Sequence, residues 1–211
     1  MITFAPNVTP LGVIEPLPIT SSPNFAGCSL AFAKAHGSPA QRRILAAVER
    51  WLDVPKGYTA TVTSKLARGH GGAPMTLAKP GWHWDGFEHV GARPDFDSWD
   101  PKVKHFVVNF HADPEWGTVA PTEYAVQSIA IPGADPYPEL AAAMRGQPTA
   151  EFEANTLYAF DQQTVHRSGY VRRPGWRMFV RVSVSRRVPI EVVDTLPVQV
   201  YMDLAAADHG R

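Results

Sequence analysis

A mainly β domain, rich in turns, is the fold class this sequence predicts, on three observations. Twenty prolines and 16 glycines cut the chain into short segments. Many short β-branched runs lie between those breaks, several with the period-two alternation of half-buried strands. Only one stretch carries a full set of helix signals. The 211 residues, 45% of them hydrophobic, make one domain's worth of chain, long enough to bury a core.

Residues 1–37 read as an N-terminal arm of irregular segments and short strands, punctuated by Pro10, Pro16, Pro18 and Pro23 and packed on the main body. The helix follows. Ser38 is its expected N-cap, Pro39 sits at N1 and Gln41 at N3, a capping-box pattern. Ile44, Leu45, Val48, Trp51 and Leu52 fall on one face, and Arg42, Arg43, Glu49 and Arg50 read as solvated charges. Pro55-Lys56-Gly57 stops it.

Strands are expected from Tyr58 to Thr63, Val103 to Phe110, Thr122 to Ile131, Thr156 to Phe160, Trp176 to Ser185 and Val192 to Met202. A short Ala-rich helix fits Glu139 to Arg145. Gly69-His70-Gly71-Gly72 is a loop without the Lys-Ser/Thr of a phosphate loop. Asp95, Asp97 and Asp100 read as solvent-facing acids, since a calcium loop needs tighter spacing and a closing Glu. The tail from Ala205 to Arg211 is expected to fray.

The formal net charge is +0, which argues against tight, sequence-independent binding to duplex nucleic acid, although Arg172, Arg173, Arg186 and Arg187 lie close in sequence. The single Cys28 makes no internal disulfide, so nothing demands an oxidising compartment. The first residues lack the charged and apolar regions of a secretory signal, and no apolar run is long enough to span a bilayer. A cytoplasmic protein with no membrane partner is the expectation; the oligomeric state is not legible.

Gly81-Trp82-His83-Trp84-Asp85-Gly86-Phe87 carries the chemistry. On a strand, residues i and i+2 point to the same face, so His83 and Asp85 project together with Trp84 behind them. Another imidazole from a distant strand completes two nitrogens and one oxygen, a set that suits non-haem Fe(II) with open positions opposite. His-x-Asp alone is weak evidence among eight histidines, and it occurs twice, as His83/Asp85 and His111/Asp113. The first is favoured. At least three expected strands separate it from His166, enough to fold back and bring both ends together, whereas His111-Ala112-Asp113-Pro114 reads as a strand running into a turn. Taken alone, His83 fits equally well as a histidine wedged between two tryptophans in a core.

Ten residues separate His166 from Arg177. The strand there hangs Trp176, Met178, Val180, Val182 and Val184 on one face and Arg177, Phe179, Arg181, Ser183 and Ser185 on the other. An inward arginine without a partner is costly, so the polar face is either exposed or lines a cavity holding an anion. The clustered Arg and Ser side chains favour the cavity, where a guanidinium fork matches a carboxylate.

Together these residues resemble the Fe(II)/2-oxoglutarate-dependent dioxygenases, whose shared pattern is His-x-Asp, a distal His, and an Arg or Lys about ten residues later. Pro121-Thr122-Glu123-Tyr124, Leu157-Tyr158-Ala159-Phe160-Asp161 and Arg181-Val182-Ser183 are similar to further elements of that superfamily. The resemblance covers residues 58–187 and singles out no subfamily. It implies a double-stranded β-helix (jelly roll) core over 58–187 within a single domain, 1–211, buttressed by a few helices. His83, Asp85 and His166 would be the metal ligands. Fe(II), 2-oxoglutarate and O₂ would be cofactor and co-substrates. Arg177, or alternatively Arg181 with Ser183, would hold the far carboxylate of 2-oxoglutarate; the ten-residue spacing favours Arg177. Retention of Asp85 points to hydroxylation over halogenation, with release of succinate and CO₂. A small-molecule substrate is favoured, and a nucleobase or peptide side chain is the alternative. A cupin-like metal-dependent isomerase or hydrolase, or a β-sandwich binding module without metal, are the rivals from other classes. Trp82, Trp84 and Phe87 are pocket-wall candidates, though large aromatics more often pack a core.

Overall fold

The structure is a computed structural model that describes residues 1–19, 22–69, 81–111 and 119–194. Its elements run β1 (Ile2–Phe4), β2 (Val8–Val13), β3 (Asn24–Ser29), α1 (Leu30–His36), α2 (Pro39–Glu49), β4 (Thr59–Gly69), β5 (Glu88–Val90), β6 (Arg93–Asp95), β7 (Lys104–Phe110), β8 (Thr122–Ala125), β9 (Ile129–Ile131), α3 (Pro136–Ala143), β10 (Thr149–Glu151), β11 (Thr156–Asp161), β12 (His166–Ser168), β13 (Gly175–Ser185) and β14 (Val193–Asp194). The protein is therefore mainly β, with three helices among the described residues.

A seven-stranded antiparallel sheet, in the order β14-β3-β4-β13-β7-β11-β2, forms the body. One face packs on the helices. Met178, Val180, Val182 and Val184 of β13 and Phe106, Val108 and Phe110 of β7 join Ile44, Leu45 and Val48 of α2 in the largest core cluster. Truncating Ile44 or Leu45 to Ala there costs about 2–5 kcal/mol. The other face meets a smaller sheet, β10-β8-β12. Val107, Tyr158 and Phe160 pack on Phe152 there, with Tyr124 and Phe179 against them.

The capping box of α2 forms with both its hydrogen bonds, Gln41 N to Ser38 Oγ and Ser38 N to Gln41 Oε1. The Gln41 amide also donates to Ser64 Oγ of β4, so the cap docks the helix on the sheet.

Several boundaries differ from the sequence expectation. Trp51 lies beyond the end of α2 at Glu49 and is 53% exposed, whereas Leu52 still packs against the core. α1 was not expected. It starts where the Ser29 side chain accepts from Phe32 N, a cap masked by the Ala-rich context. The strand from Tyr58 continues to Gly69, since β13 pairs with it along its full length. The run from Thr122 to Ile131 is two strands: β8 pairs with β10 and β12, whereas β9 pairs with β1. α3 begins earlier than Glu139, at Pro136, where proline suits the first turn. Asp95 and Asp100 are not idle acids. Asp95 accepts from Asp97 N in a 3₁₀ turn, and Tyr58 donates its hydroxyl to Asp100. Of the strand expected over Val192 to Met202, the described part is β14; the remainder, the Ala205–Arg211 tail, Asp113 and the loop at His70 lie outside the described residues.

Candidate metal centre

His83 and Asp85 stand in a bent segment, not a regular strand. What aligns them is a single antiparallel bridge: His83 N donates to His166 O and His166 N donates to His83 O, both at 3.0 Å. That bridge extends the smaller sheet past β12 and fixes the two histidines side by side. Trp84, between the ligands, turns the other way into a core with Phe4, Phe87 and Ile131. Trp84 and Phe87 are thus core residues. Trp82 stacks under the Arg167 guanidinium at 4.5 Å, and Arg167 also bonds Glu123 on β8.

One ligand atom from each of His83, Asp85 and His166 lies within 4.8 Å of the others. The imidazole centroids are 4.5 Å apart, and His166 Nε2 is 3.2 Å from Asp85 Oδ2. His83 Nδ1 faces Gly81 O at 2.8 Å and His166 Nδ1 faces Thr164 O at 3.0 Å. A carbonyl accepts only, so both Nδ1 atoms carry a proton and Nε2 is the atom through which each ring would ligate a cation. Backbone carbonyls that orient imidazoles in this way are a common support of metal sites.

Asp85 is held as a carboxylate. Burial pushes it up, but the Arg181 guanidinium bonded to it, the His166 hydrogen bond and the nearby imidazoles outweigh that and hold it well below the usual range. The segment behind it is clamped. Gln162 donates from Nε2 to Gly86 O at 2.9 Å and accepts Asp100 N at 2.7 Å. Gly86 has φ of 92°, and a Cβ there would come within 2.7 Å of His105 Nε2, so only glycine lets the chain pass. His105 is buried beneath the site. Burial holds it down to about 3, partly offset by Asp85, and its Nδ1 lies 2.9 Å from Ser183 Oγ. A donor set of two imidazoles and one ionised carboxylate fits a divalent transition metal with open positions.

Arg177 and Arg181 share the inward face of β13 but do different work. Arg181 is bonded to Asp85. Arg177 is 2% exposed and has one long bond, from Nη2 to Thr122 Oγ1 at 3.3 Å, while its Nε and Nη1 find no partner among the described residues. Burial lowers it to about 10, so it stays charged at neutral pH. Thr122 in turn accepts from Asn109 Nδ2 at 2.9 Å. Ser183 faces His105 instead of an arginine. Among the other clustered arginines, Arg172 pairs with Glu151 and Arg186 with Tyr58 and Asp100. Of the alternative pair, His111 joins no cluster of possible ligands among the described residues, and Asp113 lies outside them.

His105, Asn109 and Gln162 were not singled out from sequence. The first two had a signal: Lys104-His105-Phe106-Val107-Val108-Asn109-Phe110-His111 places polar residues at odd positions along an otherwise apolar strand. Gln162 had none, since its role depends on two carbonyl and amide groups far away in the chain.

No helix among the described residues is long and apolar enough to cross a membrane. No protein-family model matches the chain, and no curated protein matches it. Solved structures similar to it include EvdMO1, 17% identical with a TM-score of 0.37, covering 64% of this chain and 29% of that one. AviO1 from Streptomyces viridochromogenes Tue57 is 17% identical with a TM-score of 0.39, covering 75% of this chain and 66% of that one. A nickel complex of ThoJ, a non-heme monooxygenase, is 13% identical with a TM-score of 0.39, covering 90% and 89%. The chain thus spans less than a third of EvdMO1, and likeness at this level assigns it no function.

Proposed function

We propose that this protein is an Fe(II)- and 2-oxoglutarate-dependent oxygenase of double-stranded β-helix type that hydroxylates a C–H bond of a small molecule. The observation that carries the reading is the pairing of two features. A buried His83–Asp85–His166 set brings two imidazoles, each oriented through Nδ1, and a carboxylate together. On the facing strand, a fully buried arginine, Arg177, holds donors that no described group satisfies. A buried guanidinium in that state fits an anion, and its fork matches a carboxylate.

Iron bound by the triad, with 2-oxoglutarate beside it, supplies oxidative C–H chemistry coupled to release of succinate and CO₂. This chain's residues do the rest. The carbonyls of Gly81 and Thr164 keep the histidine tautomers fixed. Arg181 keeps Asp85 ionised and aimed. Phe160, 5.0 Å from the His166 ring and 5.1 Å from His105, forms an apolar wall that limits water. Arg177 takes the far carboxylate of the 2-oxo acid, because Arg181 is already committed to Asp85. A cupin-like isomerase or hydrolase would use the same triad but leave Arg177 without a task.

Anaerobic titration of the protein with Fe(II) and 2-oxoglutarate tests the reading through the visible charge-transfer band of the chelate. Wild type shows it and Asp85→Ala does not. Arg177→Ala raises the 2-oxoglutarate half-saturation about 10- to 100-fold, the worth of hydrogen bonds to a charged group. Arg181→Ala acts first on metal affinity. A wild-type protein with no band, or a larger 2-oxoglutarate effect at Arg181, overturns the assignment.

A further inference from the structure

Among the described residues, His111 is a buried titratable side chain with no part in the chemistry proposed for the triad. His111 follows β7 and is 1% exposed, and neither ring nitrogen has a hydrogen-bond partner among the described residues. Its backbone is held firmly: His111 N donates to Asn155 Oδ1 at 2.7 Å, and Asn155 N donates to Asn109 O at 2.9 Å. Asn155 does this at φ of 59°, a left-handed conformation that asparagine tolerates better than most residues. The ring is thus placed by a two-bond clamp and then given nothing to bond.

What it faces is informative. β7 and β13 pair antiparallel, with Met178 opposite Phe110 and Phe179 opposite Asn109. One step further in that register sets Arg177 across from His111. Arg177 and Arg173 both act on the imidazole electrostatically and, after burial, hold it down to about 4, so at neutral pH it is a neutral ring with one N–H to give. Two side chains on neighbouring strands therefore bury four nitrogens without partners: Nε and Nη1 of Arg177, Nδ1 and Nε2 of His111. Leaving such groups unsatisfied is costly, and most of them are donors in need of acceptor oxygens.

We infer that His111 is a second binding residue for the far carboxylate of the co-substrate, donating one imidazole N–H to the carboxylate gripped by Arg177. The inference rests on the 2-oxoglutarate reading and deepens it. The guanidinium supplies charge and two donors, and the imidazole supplies a neutral donor from the adjacent strand. Such a pair selects a 2-oxo diacid over a 2-oxo monoacid, since a monoacid leaves both residues as they are in the empty site.

A specific signature follows. In the ligand-free protein the unpartnered ring is a liability, so His111→Phe, of similar shape and apolar, raises the melting temperature. The same substitution weakens 2-oxoglutarate. A merely structural histidine would lose stability instead. The experiment is anaerobic binding of 2-oxoglutarate and of pyruvate to the Fe(II)-loaded protein, with ligand-free melting measured alongside. His111→Phe is expected to weaken 2-oxoglutarate about tenfold, leave pyruvate and Fe(II) binding unchanged, and melt at or above wild type. His111→Gln, which keeps an N–H donor, recovers most of the affinity. Unchanged 2-oxoglutarate binding in both variants, or equal losses for 2-oxoglutarate and pyruvate, overturns the role of His111 while leaving the oxygenase reading intact. A wild-type protein that binds Fe(II) but not 2-oxoglutarate overturns both.

Discussion

At the scale of single residues, the site is governed by which polar atoms have partners. His83 and His166 are each fixed through Nδ1, so the ring orientation at the candidate cation position is set before any metal arrives. His111 is the opposite case, a ring with no hydrogen bond among the described residues. That difference has a consequence for pH. The folded-state value of His111 is lowered to about 4, against about 6.5 for a free histidine. Between those limits the unfolded chain binds a proton that the folded chain refuses, so stability rises with pH through this window and is flat above it. The slope from one such group is at most about 1.4 kcal/mol per pH unit. Denaturant unfolding of the ligand-free protein from pH 4 to pH 7 should show this, and His111→Phe should be shallower over the same range. A variant with the wild-type slope would mean that His111 takes up its proton without unfolding.

At the scale of elements, the N-terminal arm is tied to both ligand segments. Phe4 of β1 packs 4.6 Å from the ring of Trp84, which sits between the ligands His83 and Asp85. Three residues on, Asn7 N donates to Thr164 Oγ1 at 3.3 Å and Asn7 Nδ2 to Asp161 Oδ2 at 3.1 Å, on the turn that delivers His166. The arm therefore spans the two halves of the triad from behind. Sequence reading gave it no chemistry, and for a physical reason: its proline-broken pattern describes local conformation, whereas its role is set by which distant turn it lies across. The opposite holds for β13. Its alternation is strong enough that the division into an apolar and an arginine-bearing face was legible directly: Met178, Val180, Val182 and Val184 are buried, although Trp176 at the strand's start is 53% exposed, and the other face is buried at Arg177 and Ser185 and half-buried between them. Phe4→Ala should destabilise the protein by about 3–5 kcal/mol, as for a buried aromatic. It should also weaken divalent-metal affinity, read by calorimetric titration at a temperature where the variant is still folded. Wild-type metal affinity in a destabilised variant would reduce the arm to packing alone.

At the scale of the whole molecule, the triad converges because the His83–His166 bridge extends the smaller sheet, while the larger sheet facing it supplies Arg181, which holds Asp85. The mainly β class followed from turn frequency and alternation, and the pairing of His83/Asp85 with His166 followed from the number of strands between them. The register did not follow, because β8 and β9 read as one continuous run and only their separate partners, β12 and β1, reveal the break. Nor did the split between the two arginines, since Arg177 and Arg181 are equivalent in pattern and differ only in what lies opposite each. A cation bound at the triad would join the segment before β5 to β12, which are remote in sequence, and so should stabilise the folded chain by mass action. At metal concentrations about a hundredfold above the dissociation constant that linkage is worth about 2.7 kcal/mol, or roughly 5–10 °C in a chain of this size. Thermal melting with and without Fe(II) under anaerobic conditions measures it. The shift should vanish in His83→Ala and Asp85→Ala and persist in Arg177→Ala and His111→Phe, whose side chains contact no ligand. A shift that survives loss of Asp85 would place the cation elsewhere and remove the basis for the oxygenase assignment.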